Sequence, residues 1–324
     1  MSAADSAALS LSRAPTLRDR ALAAVLIGGA GVLRHLPDSL VYRAAHAAGA
    51  GASLLMPERR AVVRSNLGRV CRWLDENDLA SPRVRAAARD EHALDRLVRD
   101  AFGHWFRTYA EAAMAPLYDQ KALHARIRLD TVEAAQAALG PAVPGRGRIY
   151  IGFHFGSVEL AALYAARESK VSIAGPMETV ANPALRAYFE KARSALGIGI
   201  VPLHDAAREL TARLARGQGV ALVSDRVISG AGSKVELFGA PTRVPIGPAV
   251  LAAESGAEVF VIGMRRIGWA RWAAVVKTIE LEAGAPRRVR VRDALDQEMR
   301  ALESLVAEAP EQWWSLFFPL WEAA

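Results

Sequence analysis

The chain has 324 residues, 52% of them hydrophobic, with a single cysteine and a formal net charge of +7; the pI is about 9.9. That length buries a large core as one big domain or two modest ones. The composition excludes a disordered chain, a disulfide framework and a multi-thiolate metal site, and lone Cys71 suits a reducing compartment. The seven histidines, His35, His46, His92, His104, His124, His154 and His204, include no pair at the i, i+4 spacing of a helical zinc site, so no metal is expected. The positive charge predicts attraction to polyanions such as anionic lipid headgroups, nucleic acid or an acidic carrier protein. No nucleic-acid recognition module is recognisable, which sets nucleic acid aside.

Near the N-terminus, Arg13, Arg18 and Arg20 precede "ALAAVLIGGAGVL" (Ala21 to Leu33), closed by Arg34 and His35. Thirteen apolar residues fall short of the about twenty a spanning helix needs. A second run, Ser39 to Met56, carries Arg43 and His46 and leads into Arg59, Arg60, Arg64, Arg69 and Arg72. Short apolar segments followed by clustered cations suit helices lying in a bilayer surface, so residues 1–56 are expected to form an interfacial region, attached peripherally or monotopically. The alternatives are a buried helical hairpin with a solvated arginine face, and a secretory signal, although no cleavage site follows the apolar run. Residues 57–140 read as a helical region packing on the core. Within it Leu94, Leu97, Val98, Ala101, Phe102, Trp105 and Tyr109 recur at threes and fours from 84 to about 125. Cys71 lies in an arginine-rich helical stretch and reads as structural.

Pro141, Pro144 and Gly145 to Gly147 then mark a loop, and the period changes. Segments 148–153, 170–174, 197–201, 219–224, 258–264 and 271–277 read as short buried strands. Helical segments are expected at 157–167, 183–195, 205–216 and 246–255. This alternation predicts an α/β fold over residues 141–324: a largely parallel central sheet covered by helices on both faces, with a C-terminal helix and a Trp-rich tail. Sites in such sheets gather at the carboxyl ends of the strands. His154 follows one such end and Asp225 another.

In "IYIGFHFGSVEL" (Ile149 to Leu160) the strand delivers His154 into a small-residue turn. With Ser157 as N-cap, Glu159 falls in the first helical turn, within reach of an imidazole presented from the strand end. That geometry allows a His–carboxylate dyad in which the acid fixes the tautomer and the other ring nitrogen takes a proton from a hydroxyl. The plainer reading has Glu159 favoured by the helix dipole and His154 as a satisfied strand-end residue. No G-x-S-x-G elbow is present. "SGAGSK" (Ser229 to Lys234) lacks phosphate-loop spacing and reads as a flexible loop. Pro245, Gly247 and Pro248 open a helix whose N–H groups either bind a phosphate or oxyanion or simply start a helix. Trp313, Trp314, Phe317, Phe318 and Trp321 suit either an interfacial aromatic belt or a cover on the core.

"GFHFGSVEL" resembles the His-x-x-x-x-acid motif of bacterial glycerolipid-type acyltransferases, in the branch of lipid A late acyltransferases and phosphatidylinositol mannoside acyltransferases. Leu222 to Ala257 is similar to the family's second signature: an acid after a strand, then FG, a threonine, and P-x-G-P before a helix. Met177 to Leu203 and the closing "PEQWWSLFFPLW" follow in the family's order. Glu159 departs from the mannoside enzymes, where Asp stands. The resemblance implies a membrane-surface O-acyltransferase on the cytoplasmic face of a bacterial plasma membrane. It would move a long acyl chain from acyl-CoA or acyl carrier protein to a hydroxyl of a glycolipid, with no cofactor beyond that co-substrate. His154 would be the general base, with Glu159 and Asp225 as candidate orienting acids. Glu178, Arg193, Arg226, Thr242 and Gly247 would bind substrate; Arg226 suits phosphate, and Glu178 and Arg193 equally suit a surface ion pair worth under about 1 kcal/mol. A lysophospholipid or glycerol-phosphate acyltransferase, or an inactive lipid-binding scaffold of the same fold, are the alternatives.

Overall fold

The computed structural model describes residues 35–177, 197–227 and 232–321, together with positions 16, 31 and 183. From residue 35 onward four helices come first: α1 (Asp38–Ala52), α2 (Pro57–Glu76), α3 (Pro82–Arg89) and α4 (Glu91–Met114). Their starts are written locally. Pro57 and Pro82 occupy first turns, where a missing N–H costs nothing, and the Ser81 and Asp90 side chains accept from the Val84 and Ala93 N–H groups. The run from Ser39, expected on a bilayer surface, forms α1, and α1 packs against α4. The two backbones meet at glycines: a Cβ on Gly49 would lie 2.3 Å from the Phe102 carbonyl oxygen. Val41 and Tyr42 are buried there; the first apolar run, Ala21 to Leu33, lies outside the described residues apart from Gly31. Four of the five clustered arginines, Arg59, Arg60, Arg64 and Arg69, meet protein partners. Arg60 and Arg64 pair with Asp95, Arg59 donates to the Phe317 carbonyl, and Arg69 stacks over Trp321. Cys71 is buried, and burial pushes its thiol up to about 12.

The chain continues through α5 (Gln120–Arg126), α6 (Val132–Leu139), α7 (Val158–Glu168), α8 (Ala206–Ala215), α9 (Gly247–Ser255) and α10 (Arg287–Glu308). The main sheet has seven strands: β1 (Ile127–Leu129), β2 (Arg148–Gly156), β3 (Ile173–Met177), β4 (Gly199–Pro202), β5 (Gly219–Val223), β8 (Glu258–Gly268) and β9 (Arg271–Ile279), in the order β1-β9-β8-β2-β5-β3-β4. Every pairing is parallel except β8 with β9. One face of β2 and β8, with Ile149, Ile151, Val259 and Val261, packs on α2, α9 and α10. On the other face Tyr150 and Phe260 meet Ala135 and Ala138 of α6 and Ala165 of α7. Burial on both faces explains why these strands are continuous apolar runs. Arg148 pins the proline-glycine loop to the sheet: buried itself, it pairs with Glu258 at 3.0 Å and donates to the Ala138, Gly140 and Pro141 carbonyls.

A separate antiparallel hairpin joins β6 (Gly232–Leu237) to β7 (Ala240–Pro245). Its two turn residues, Phe238 (φ 49°) and Gly239 (φ 67°), are both left-handed, as a twisted two-residue hairpin requires. A buried ion cluster ties α4 to the end of β8. Arg266 donates to Glu111 at 2.7–3.0 Å, Arg107 lies 3.6 Å away, and Trp272 Nε1 adds a bond at 3.2 Å. The Gln312 amide then brackets the Arg266 backbone, accepting from its N–H at 2.8 Å and donating to its carbonyl at 2.9 Å. Removing the acid would leave two buried guanidinium groups uncompensated, so Glu111→Ala should cost about 3–5 kcal/mol, read as a lower urea midpoint.

Candidate active site

β2 carries His154 near its carboxyl end, and neighbouring β5 leads through Ser224 to Asp225. The ladder extends one residue beyond β5, with Ser224 N–H donating to the Gly152 carbonyl at 3.0 Å. This brings the tips of the two strands together. Gly156 then turns the chain into α7. Its φ of +60° is left-handed, and a Cβ there would lie 1.8 Å from the Met264 carbonyl oxygen, so only glycine fits. Ser157 stands at the N-cap position, but its side chain makes no capping bond. Glu159 is in the first turn, as the sequence implies.

The two strand ends meet in a hydrogen-bonded pair. Asp225 Oδ1 accepts from His154 Nδ1 at 2.9 Å, and Oδ2 accepts from the His154 backbone N–H at 3.1 Å. Two further donors reach Oδ2 from the C-terminal tail: Trp313 Nε1 at 2.8 Å and Ser315 Oγ at 2.7 Å. The aspartate side chain is fully buried, whereas 15% of the histidine side chain is exposed. Burial alone would push the Asp225 carboxyl up; the His154 charge and the bonds from His154, Ser315 and Trp313 outweigh it and bring the pKa down to about 2. An ionised Asp225 only accepts, so Nδ1 carries a proton, and in the neutral imidazole Nε2 is the nitrogen left with its lone pair. Of the two acids left open by the sequence, Asp225 is therefore the Nδ1 partner. The Trp314 ring stands edge-on to the imidazole, 4.9 Å between centroids. Behind Asp225, Ser224 Oγ donates to Glu298 at 2.7 Å, and burial raises that glutamic acid to about 8, so it is neutral at pH 7.

An apolar cleft opens on the same sheet, with about 920 Å³ of empty volume that includes open solvent at its mouth. Tyr150 and Gly152 of β2, Ala221 and Val223 of β5 and Ile262 of β8 form its floor; α7 supplies Ala161 and Ala162, and β3 and β4 supply Gly175 and Ile200. Glu159 lines this cleft, as do Phe153 and Phe155 on either side of His154, whereas His154 and Asp225 themselves are not among its lining residues.

The remaining candidates are dispersed. Arg226 stacks its guanidinium 4.0 Å over the Phe318 ring, and its Nε is buried without a hydrogen-bond partner. Thr242 is buried and spends its hydroxyl on the Leu320 carbonyl, pinning the tail. Gly247 opens α9 and is absent from the cleft lining. Glu178 and Arg193 lie outside the described residues, as do 228–231 of the loop. Trp313, Phe317 and Trp321 are buried, which makes the aromatic tail a cover on the core. Trp313 and Ser315 as donors to Asp225, and Glu298 behind it, had no local signal in the sequence. Among the described residues no group of three His, Cys, Asp or Glu is placed to hold a metal.

A mostly parallel sheet flanked by helices, with a histidine and an ionised aspartate hydrogen-bonded at adjoining strand ends and an apolar cleft on the same sheet, defines an α/β protein. The chain belongs to the bacterial lipid A biosynthesis acyltransferase family, whose pattern matches residues 16–322. It is 29% identical over 176 residues to the phosphatidylinositol mannoside acyltransferase of Mycolicibacterium smegmatis, covering 52% of this chain and 55% of that protein. It is 33% identical over 139 residues to the Mycobacterium tuberculosis H37Rv protein of the same name, covering 40% of each chain. The matches thus span about half the length, or less, of these relatives.

The aspartate makes an acid-range prediction. Its folded pKa lies below the ordinary 3.8, so it contributes stability that is present above that value and lost as pH falls towards 2. The difference in unfolding free energy between wild type and Asp225→Asn should therefore shrink as urea titrations move from pH 4 to lower pH.

Proposed function

We propose that this protein transfers a long-chain fatty acyl group from a thioester, acyl-CoA or acyl carrier protein, to a hydroxyl of a glycolipid of the phosphatidylinositol mannoside or lipid A type. The observation that carries the reading is the hydrogen-bonded His154–Asp225 pair at adjoining strand ends, close in sequence to Phe153, Phe155 and Val223 of an apolar cleft. With Nδ1–H held by Asp225, Nε2 takes the proton of the acceptor hydroxyl as its oxygen attacks the thioester carbonyl. The tetrahedral intermediate collapses, the C–S bond breaks, and the thiolate leaves with the proton from the imidazolium. A thioester is already activated, so direct attack needs no protein nucleophile. Asp225 balances the transient imidazolium. The cleft takes the acyl chain, and Glu159 and Arg226 are assigned to the acceptor and donor polar groups. Family membership and the mannoside acyltransferase relatives support the glycolipid acceptor over a lysophospholipid.

His154→Ala should lower kcat by about 10³-fold or more, and Asp225→Asn, which no longer enforces the Nδ1–H tautomer, by about 10³–10⁴-fold. The check is transfer of radiolabelled palmitate from palmitoyl-CoA to a phosphatidylinositol mannoside. Equal rates in mutant and wild type would remove the base assignment and favour the inactive scaffold. Transfer to lysophospholipid alone would reassign the acceptor.

We also propose peripheral attachment to the cytoplasmic face of the plasma membrane. No described helix is long and apolar enough to cross a bilayer. Leu54 and Leu55, at the turn between α1 and α2, are 67% and 83% exposed, and apolar side chains at such a turn suit insertion below headgroups. Replacing both with serine should reduce flotation with anionic vesicles; unchanged flotation would place the attachment elsewhere.

A further inference from the structure

Three glycines line the cleft among the described residues: Gly152, Gly175 and Gly199. Two of them are dictated by close neighbours. A Cβ on Gly175 would lie 2.6 Å from the Ala221 carbonyl oxygen, and one on Gly199 would lie 2.9 Å from the Ala174 Cβ. Gly152 is different. Its φ is not left-handed, and the nearest atom to a Cβ there is the Leu222 carbonyl oxygen at an ordinary contact distance of 3.8 Å.

Gly152 also sits where glycine is least expected, inside a central strand with neighbours on both sides. It pairs in register with Val223 of β5 and Ile262 of β8, and both of those residues line the cleft. In-register residues project to the same face of a sheet, so a side chain at 152 would stand between theirs and enter the cleft. A strand-interior glycine forfeits packing and raises the entropy cost of folding, by about 0.5–1 kcal/mol relative to alanine. The β2–β8 ladder is irregular between Gly152 and Gly156, but Gly152 itself has neither a left-handed φ nor a crowded Cβ position that would demand the sacrifice. A glycine of this kind marks a place where something other than the protein occupies the space.

We propose that Gly152 is a specificity-determining position: by carrying no side chain two residues before His154, it leaves the sheet floor of the cleft open for a long unbranched aliphatic chain, and its substitution shortens the chain that fits. The inference rests on the reading that this cleft takes the acyl group. The walls suit such a chain, because Ala161, Ala162 and Ala221 add little bulk and no polar group around it. A side chain at 152 would fill space next to the histidine-bearing strand end and displace the chain from the floor.

The test uses the full chain as wild type, Gly152→Ala and Gly152→Leu, with displacement of an environment-sensitive fluorescent fatty acid by octanoic and palmitic acids, alongside thermal unfolding. Neither variant should lower Tm, since the glycine meets no structural need. Gly152→Leu should weaken palmitate roughly tenfold or more, from the scale of a methylene-sized misfit in an apolar pocket, while leaving octanoate near wild type; Gly152→Ala should fall between. The same ranking should appear in kcat/KM for palmitoyl-CoA against octanoyl-CoA. Palmitate affinity unchanged in both variants, an equal loss for both acids, or a fall in Tm in both variants would overturn the proposal, as would a wild-type protein that binds neither acid. Wild type that binds palmitate but transfers no acyl group would instead remove the transferase reading and leave the binding test of Gly152 in force.

Discussion

The structure depends on one buried negative charge. An isolated carboxylate in a protein interior is costly enough that it normally takes up a proton. Asp225 stays ionised because four donors converge on its two oxygens: the backbone and ring of His154, the Trp313 indole and the Ser315 hydroxyl. Two of these come from β2 and two from a tail 88 and 90 residues further along the chain. The site is therefore complete only when the C-terminus is docked. A bridge between Phe155 and Trp313, the Gln312 clamp on Arg266, and the Glu111 pair behind that arginine hold the tail in place.

The sheet divides labour between its faces. On the α2, α9 and α10 side it is filled by Ile149, Ile151, Val259 and Val261 and by the buried aromatic tail. On the α7 side the small residues leave an opening beside the catalytic candidates. Asp225 is buried, whereas 15% of the His154 side chain is exposed. The pairing is physical: the same strand that buries phenylalanines on one side runs past empty space on the other.

Much of the sheet was legible because strands buried on both faces are apolar without interruption, and β2, β5, β8 and β9 begin within a residue of the expected positions. β1 is three residues long and carries no period of its own. The β6–β7 hairpin turns on Phe238 and Gly239, and nothing in the sequence announces a phenylalanine in the left-handed region. His154 and Asp225 were readable as strand-end residues, but not their partnership, which depends on β2 and β5 being adjacent in space. The tail donors were invisible for the same reason. The sequence shows the clustered arginines of α2 as charge alone and does not report the Asp95 that meets Arg60 and Arg64. Thr242 matched a family signature, yet its hydroxyl serves the tail.

The central claim is that Asp225 fixes the His154 tautomer, and nitrogen-15 NMR of the imidazole near neutral pH tests it most directly. In protein labelled at its histidines and assigned by the loss of one ring in His154→Gln, the neutral imidazole should carry its proton on Nδ1 with a bare Nε2, and this preference should disappear in Asp225→Asn. An Nε2–H tautomer in wild type, or an equal mixture unaffected by removal of the Asp225 charge, would contradict the account.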